Sequence, residues 1–454
     1  MYTKSPHRQD VRRSQFITTY GPGAIIEGRN GPAVILMPEI GLFRHTGFQP
    51  SDFEIICESL SKIIGGRIFR VPSNQELGRE NPIWRTKKFP EWHLCPRNNK
   101  HVQYSVLYRG DRCPICGRLT DHRQAIRFVM ACPRGHLDDV DWEKAVHGGG
   151  RCSSSRGRQP YFKWYRKGPT LRDIKIVCAL CGKNTDMGHI YYQEWLECTA
   201  RYPEREDATD PPKRPNTCHF RREDTRKPCV LHRGALNLRI PIIRSAIKIP
   251  SVMSRLGELL SDNIIKTAVR SLILTNNLDK DALEKVLKGN NVEDHIIREI
   301  KSYNMEEIRS VLKKIEEKVP VTYGQMLMQE FYALRTAAER GVYLEDFEVL
   351  SSDVKYFKTD GPIQVKFRIV PVTKLRVVMV QEGYVRVDPV EGVKVPVYYE
   401  ETIASGRVEK WFPGVELKGE GIFIDIEPPH FAPNGKAAQE WSKLYKRCHK
   451  EGCE

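Results

Sequence analysis

Cys113-Pro114-Ile115-Cys116-Gly117 and Cys178-Ala179-Leu180-Cys181-Gly182 repeat one local design. In each, a tight turn aims two thiolates at a common point, and the glycine lets the backbone fold back past them, as in a zinc knuckle. Ten of the thirteen cysteines lie between Trp92 and Arg233: Cys95, Cys113, Cys116, Cys132, Cys152, Cys178, Cys181, Cys198, Cys218 and Cys229. Two such pairs among spaced single cysteines point to about two to three structural Zn2+ ions. Cysteines packed as small hydrophobes, or a disulfide framework in an oxidising compartment, are the competing readings.

The N-terminus lacks the apolar stretch of a secretion signal, and no run of about 18 apolar residues is present to cross a membrane. The expectation is therefore a soluble, cytoplasmic chain without membrane contact, which disfavours disulfides. A redox Cys-x-x-Cys opens a helix in a βαβ unit, whereas both pairs here follow polar, hairpin-like sequence and precede glycine. Metal is favoured over redox work.

Spacing groups the ligands into three sets. Cys95, Cys113 and Cys116 need a fourth donor, because Asn98 stands where a second thiolate would complete a Cys95 knuckle; His93 or His101 supplies it, His101 being preferred, or the site has decayed. Cys132, His136, His147 and Cys152 form a candidate Cys2His2 set, with Asp138, Asp139 or Asp141 orienting a histidine through its other nitrogen. Cys178 and Cys181 close with Cys198 and Cys218, leaving Cys229 spare. A catalytic zinc, or a nucleophilic Cys132 beside His136, competes for the second set and needs an open coordination position.

The net charge of +16 suggests a polyanionic partner, most simply nucleic acid. Between the second and third sets lies Arg156-Gly-Arg158-Gln-Pro-Tyr161-Phe162-Lys163-Trp164-Tyr165-Arg166-Lys167. Aromatics interleaved with cations suit a single-strand platform, in which rings stack on bases and cations neutralise phosphates. A half-buried strand with a basic outer face produces the same pattern. Arg221 and Arg222 in the Pro- and Arg-rich loop around Cys218 add basic surface.

The remainder reads as an α+β, multi-domain chain: an N-terminal α+β region (1–90), the Cys/His-rich region (91–235), a helical region (236–345), and a β-rich domain with a basic tail (346–454). Arg12 to Glu27 reads as strand, Gly21-Pro-Gly23 turn, strand. Ser51 to Ile64 reads as a helix capped through Ser51 and Glu54, with Cys57 on its apolar face. Short amphipathic helices follow from Val252 to Val319, and strands at Gln364–Ile369, Leu375–Val380, Val395–Tyr399 and Gly421–Asp425. Cys448, His449 and Cys453 near the C-terminus offer half of a shared metal site. No phosphate-binding loop, His-Glu-x-x-His, Gly-x-Ser-x-Gly or deaminase signature is present.

Several blocks occur in order: Phe89-Pro-x-Trp92-x-x-Cys95, Arg127-Phe-Val-x-Ala-Cys132-x-x-Gly-His136-Leu-Asp-Asp139-x-Asp-Trp142, Asp173-Ile-x-Ile-Val-Cys178-x-x-Cys181-Gly, and Arg233-Gly-Ala235. With Arg13-Ser-Gln15, Gly21-Pro-Gly-Ala24 and Trp411-Phe-Pro-Gly-Val-Glu416 beside them, the chain resembles the DrmB family of the DISARM antiphage system, which carries a helicase-associated domain of unknown function with four cysteines. The resemblance implies a non-catalytic scaffold that partners a superfamily-2 helicase and loads on single-stranded DNA or duplex ends. Two departures stand out: Asn98 replaces an expected cysteine, and the family's apolar His-Thr-Leu-type region beyond the Gly-Glu-Gly-Ile-Phe423 block is not found. A separate chain carrying that region, making this half of a split DrmB, is one expectation. A zinc-dependent hydrolase or nuclease centred on Cys132, His136 and His147, and an interaction hub without DNA contact, are the alternatives.

Overall fold

The computed structural model describes residues 11–73, 75–76, 78, 83–192, 197–215, 218, 227–249, 255–275, 277–316, 322–358, 364–403 and 406–427. The chain divides into two compact units, one formed by residues 1–57, 64–245 and 379–415, the other by 58–63, 246–378 and 416–454. These units do not follow the four successive segments read from sequence. The reason is two long strands, Gln364–Val385 and Val408–Glu427, each of which carries residues of both units. The sequence pattern marks the first as two short strands, Gln364–Ile369 and Leu375–Val380, and the second only at Gly421–Asp425.

The first unit is built on small antiparallel sheets. Asn184–Asp186, Ile174–Cys178, Phe162–Arg166, Ser105–Arg109 and Trp92–Cys95 lie side by side in that order in a five-stranded sheet. Phe162 pairs with Cys178 on one side and Leu107 on the other, which fixes the register. Alternation then sends Phe162, Trp164, Ile174 and Ile176 to one face, where they bury Trp142, Val146, Met187 and Ile190 from the helices Trp142–His147 and Met187–Tyr191. Truncating fully buried Phe162 to Ala would cost about 3–5 kcal/mol. A second sheet orders Cys229–His232, Phe128–Ala131 and Leu137–Asp139, and a third joins Ile25–Gly28, Gly31–Ile35 and Thr86–Lys88.

Arg12 to Glu27 departs from the expected strand, turn, strand. Residues Arg13–Thr18 form a helix, and only Ile25–Gly28 is extended. Burial of adjacent Phe16 and Ile17 overrides the weak β-preference of Ile-Thr-Thr, and the Thr18 hydroxyl is satisfied by donating to the Ser14 carbonyl at 2.9 Å. The Gly21-Pro22-Gly23 turn is held by buried arginines: Arg239 donates to the Thr19 and Pro22 carbonyls, and Arg386 to that of Gly23, each at 3.0 Å. The capped helix expected from Ser51 begins later, at Glu58–Ile64, after a 3-10 turn at Pro50–Phe53 and a short strand at Glu54–Ile55. The Pro50 start and the extended backbone at Glu54 separate the two pieces.

In the second unit, helices Arg255–Leu259, Asn263–Leu274, Lys280–Gly289, Asp294–Ser302 and Met305–Glu316 bury a shared apolar cluster that includes Leu260, Val269, Leu283, Ile300 and Ile308. Asp262 and Asp279 cap their helices through side-chain oxygens. The longest helix, Tyr323–Arg340, packs Leu334, Ala337 and Ala338 on Phe347, Val349, Val370 and Val372. No helix among the described residues is long and apolar enough to cross a membrane.

Candidate metal centres

Three tetrads of thiols and imidazoles assemble in the first unit: Cys95, His101, Cys113 and Cys116; Cys132, His136, Cys198 and Cys218; and His147, Cys152, Cys178 and Cys181. Within each, all four donor atoms lie within 4.8 Å of one another. The sulfur–sulfur separations that define them are 3.7 Å for Cys95 and Cys116, 3.9 Å for Cys132 and Cys218, and 3.8 Å for Cys152 and Cys178. A tetrahedron with metal–sulfur bonds of about 2.3 Å has sulfur–sulfur edges of about 3.8 Å. A disulfide requires about 2.05 Å, and all of these cysteines are free. The donor set, its spacing and its burial thus fit a tetrahedral, thiophilic ion.

The two knuckles have the same backbone. The N–H groups of Gly117 and Gly182 donate to the carbonyls of Cys113 and Cys178 at 2.9 and 3.0 Å, with both glycines left-handed at φ 71° and 76°. The Cys113 and Cys178 N–H groups donate to Arg118 and Lys183, closing each loop. Cys132 to His136 is a shorter version, in which Gly135 (φ 88°) donates to Cys132 and the Cys132 N–H to the His136 carbonyl.

In the first centre His101 presents Nε2 at 3.5 Å from Cys95 Sγ and 3.9 Å from Cys113 Sγ, while its Nδ1 bonds the Tyr104 carbonyl at 3.1 Å. Such a carbonyl contact fixes ring and tautomer. Asn98 does not leave the centre short of a donor, because His101 fills the fourth place; the Asn98 amide sits 2.8 Å from His101 Nε2. His93 is elsewhere, paired with His122 Nδ1 at 3.0 Å.

The second and third centres exchange the closures expected from spacing. Cys132 and His136 meet Cys198 and Cys218, with His136 Nδ1 at 3.4 and 3.6 Å from those sulfurs. His147 and Cys152 instead join the Cys178–Cys181 knuckle, His147 Nε2 lying 3.2 Å from Cys181 Sγ. Strand order explains this. The Cys132–His136 turn joins Phe128–Ala131 to Leu137–Asp139 in one sheet, whereas the helix Trp142–His147 packs on the five-stranded sheet from which the Cys178 knuckle hangs. Cys132, His136 and His147 therefore do not form one centre, which removes the grouping required for the hydrolase reading.

Among the described residues, Asp138, Asp139 and Asp141 make no hydrogen bond to a histidine. Asp138 accepts from Arg201, Arg214 and Thr199, Asp139 from the backbone N–H groups of Glu91 and Trp92, and Asp141 caps the helix at Lys144. His147 Nδ1 is held by the Glu143 carbonyl at 2.6 Å. Fully buried Arg201 was not legible as a hub: it binds Asp138, Glu206 and Glu91 at 2.8–2.9 Å. Cys229 lies on a strand outside the three tetrads.

The proximity of the thiols shifts their acidities. Burial and the neighbouring Cys116 and Cys113 push Cys95 up to about 12. Burial also opposes ionisation of Cys116, yet the Arg118 N–H and the His101 and Asn98 side chains hold it down at about 6. Burial pushes Cys178 up to about 11, while Cys181, despite burial, is brought to about 7 by the Lys183 N–H and His147.

The basic aromatic stretch resolves as a strand with two faces. Trp164 is buried, edge-on to Trp142 at 5.9 Å, so it and Phe162 belong to the core and offer no stacking surface. The opposite face carries Tyr161, Lys163 and Tyr165, with Lys163 Nζ 5.2 Å above the Tyr104 ring and Tyr104 5.4 Å from Tyr165. Arg156, Arg158, Arg166 and Lys167 are exposed. Arg221, Arg222, Cys448, His449 and Cys453 lie outside the described residues.

A family model described as a domain of unknown function (DUF8724) matches residues 12–240, which include every ligand of the three tetrads. The chain is 27% identical over 385 residues to the DISARM protein DrmB of Bacillus paralicheniformis (strain ATCC 9945a / NCIMB 11709 / CD-2), a match covering 80% of this chain. It spans 62% of that relative's length. On a model that fits half of its sequence and contains all three Cys/His tetrads, the chain belongs to the DUF8724 family and is a homologue of DrmB.

Proposed function

We propose that the chain is a zinc-stapled, non-catalytic scaffold of a DISARM antiphage complex, partnering a superfamily-2 helicase and contacting DNA. The observation that carries this reading is that each tetrad supplies four protein donors at tetrahedral spacing. A catalytic zinc keeps one position for water or substrate, whereas a structural one is closed by protein. Zinc fits Cys3His cages better than harder cations do, since thiolates are soft donors. The similarity to DrmB supports the defence role. The half-buried Tyr161, Lys163 and Tyr165 face, the exposed Arg166 and Lys167 at the end of the strand, and the net charge of +16 support strand contact.

The test is purification of the tagged chain from its native cells after nuclease treatment, with metal analysis and mass spectrometry of bound proteins. Three zinc ions per chain and a stoichiometric helicase are expected; the same measurement reports any second DrmB-like chain. A chain recovered alone and without metal would sink the reading.

A further inference from the structure

In the first unit the hairpin Ile25–Gly28 to Gly31–Ile35 and the strand Thr86–Lys88 border a cavity of about 710 Å³, apart from the three tetrads. Among the described residues its walls hold four cations, Arg13, Arg29, Arg85 and Lys88, and no aspartate or glutamate. Arg13 is paired with Glu76. The side chains of Arg29, Arg85 and Lys88 are exposed and, among the described residues, have no hydrogen-bond or ion-pair partner. Cations gathered round one concavity without counter-charge repel one another and create a positive potential that an anion relieves.

The fold fixes this arrangement. Strand alternation buries Lys87, which pairs with Glu206 at 3.3 Å, and leaves Thr86 and Lys88 on the cavity side. Arg29 occupies a two-residue turn between Gly28 and Gly31. Gly31 adopts φ +100°, and a Cβ there would meet the His122 carbonyl at 2.4 Å, so the hairpin is seated closely on the His122 segment. His122 in turn bonds the Pro32 carbonyl at 2.6 Å.

The cavity also has an aromatic wall. Half-buried Trp84 lies 4.5 Å from Phe16, ring centre to ring centre, and its Nε1 donates to the Leu36 carbonyl at 3.0 Å, which fixes the indole. Unpartnered guanidinium and ammonium groups suit phosphate, and a fixed indole suits a planar ring. The volume falls within the roughly 300–1,000 Å³ of small-molecule sites. A neighbouring cavity of about 770 Å³ shares Lys88 and His122, but contains Glu91 and Asp111 beside Arg109 and Arg112, so the uncompensated charge sits in the first.

We propose that this cavity binds one nucleotide unit, its phosphate on Arg29, Arg85 and Lys88 and its base against Trp84, either free or as the terminal residue of a single strand. The site is separate from the Lys163 face, and a mononucleotide is too short to report on that face. Failure of one reading therefore leaves the other standing.

The experiment is calorimetric titration of the metal-loaded full chain with thymidine 5′-monophosphate, a 5′-phosphorylated oligothymidylate and pyrophosphate. Saturable binding is expected, weakened about tenfold or more in the Arg29→Ala/Arg85→Ala variant. Trp84→Leu should weaken the nucleotides several-fold and leave pyrophosphate unchanged. Tighter binding of the oligonucleotide, if the excess affinity is lost in the Arg29→Ala/Arg85→Ala variant, assigns the ligand to a strand end, and equal affinity, or an excess that survives in that variant, assigns it to a free nucleotide. All three substituted positions are spared by the tetrads, so metal content and melting temperature serve as fold controls. Absence of saturable binding by either nucleotide, or affinity unchanged in the double arginine variant, would overturn the proposal, as would nucleotide affinity indifferent to Trp84→Leu.

Discussion

His147 Nε2 lies 3.2 Å from Cys181 Sγ across 34 residues of sequence. One donor is the last residue of a short helix, and the other hangs from a strand in the sheet that the helix covers. The contact thus ties helix to sheet around one centre, and the aromatic core of Trp142, Trp164 and Phe162 lies beneath it. Metal and core are expected to stabilise the same packing, since ligand binding to the folded state alone adds its free energy to folding.

The closures can be tested by counting ions. Cys181→Ser and Cys152→Ser should each lower metal content from three ions to two per chain, and the double variant should also retain two, because both residues serve one tetrad. Combining Cys152→Ser with Cys132→Ser should leave only one. If the Cys152/Cys132 pair loses a single ion, the exchanged closures are wrong. Each lost ion should lower stability by more than about 4 kcal/mol, read as an earlier denaturation midpoint.

Acid should strip the metal. Thiolates and neutral imidazoles are the binding forms, so protons compete for every donor and apparent affinity falls as pH falls. Release should grow as pH falls, because each ligand site that takes a proton is lost to the metal. A chromogenic zinc indicator read from pH 8 down to pH 4 checks this; pH-independent retention would contradict thiolate ligation.

A second pH effect belongs to the other unit. Burial raises the Glu330 carboxyl to about 7, although it accepts the Ile247 N–H at 2.8 Å, a bond that favours the charged form. A raised acid binds more protons folded than unfolded, so its contribution is full below the unfolded value near 4.5 and is lost as pH rises through about 7. Glu330→Gln keeps an acceptor for Ile247 without the charge. It should gain about 1–2 kcal/mol over wild type at pH 8 and little at pH 4.5, by denaturant titration.

Local chemistry was the legible part. Cys113-x-x-Cys116-Gly and Cys178-x-x-Cys181-Gly announce their geometry because five residues determine it, and His101 follows Cys95 closely enough to be named. Closure of His147 on Cys181 rather than on Cys132 depends on strand order, which spacing does not encode. The same limit hid Arg201, whose partners Glu91, Asp138 and Glu206 come from three segments. Arg201→Ala removes the central cation but leaves Asp138 with Arg214, Glu206 with Lys87 and Glu91 with Arg109, so it should cost about 1–3 kcal/mol, read as an earlier denaturation midpoint.

Trp164 and Lys163 divide the two meanings of the basic aromatic stretch. They are neighbours on one strand, so their side chains point to opposite faces: Trp164 into the core and Lys163 over the Tyr104 ring. Trp164→Ala should cost about 3–5 kcal/mol through the cavity it leaves, and any loss of DNA binding should track unfolding. Lys163→Ala should leave the melting temperature nearly unchanged, weaken single-strand binding several-fold and reduce the slope of log affinity against log salt by about one phosphate contact. Fluorescence anisotropy with a labelled single strand at several salt concentrations separates the cases. A Lys163→Ala chain with wild-type affinity and slope would move strand contact off this face, because a cation touching a phosphate cannot be removed without returning a counterion.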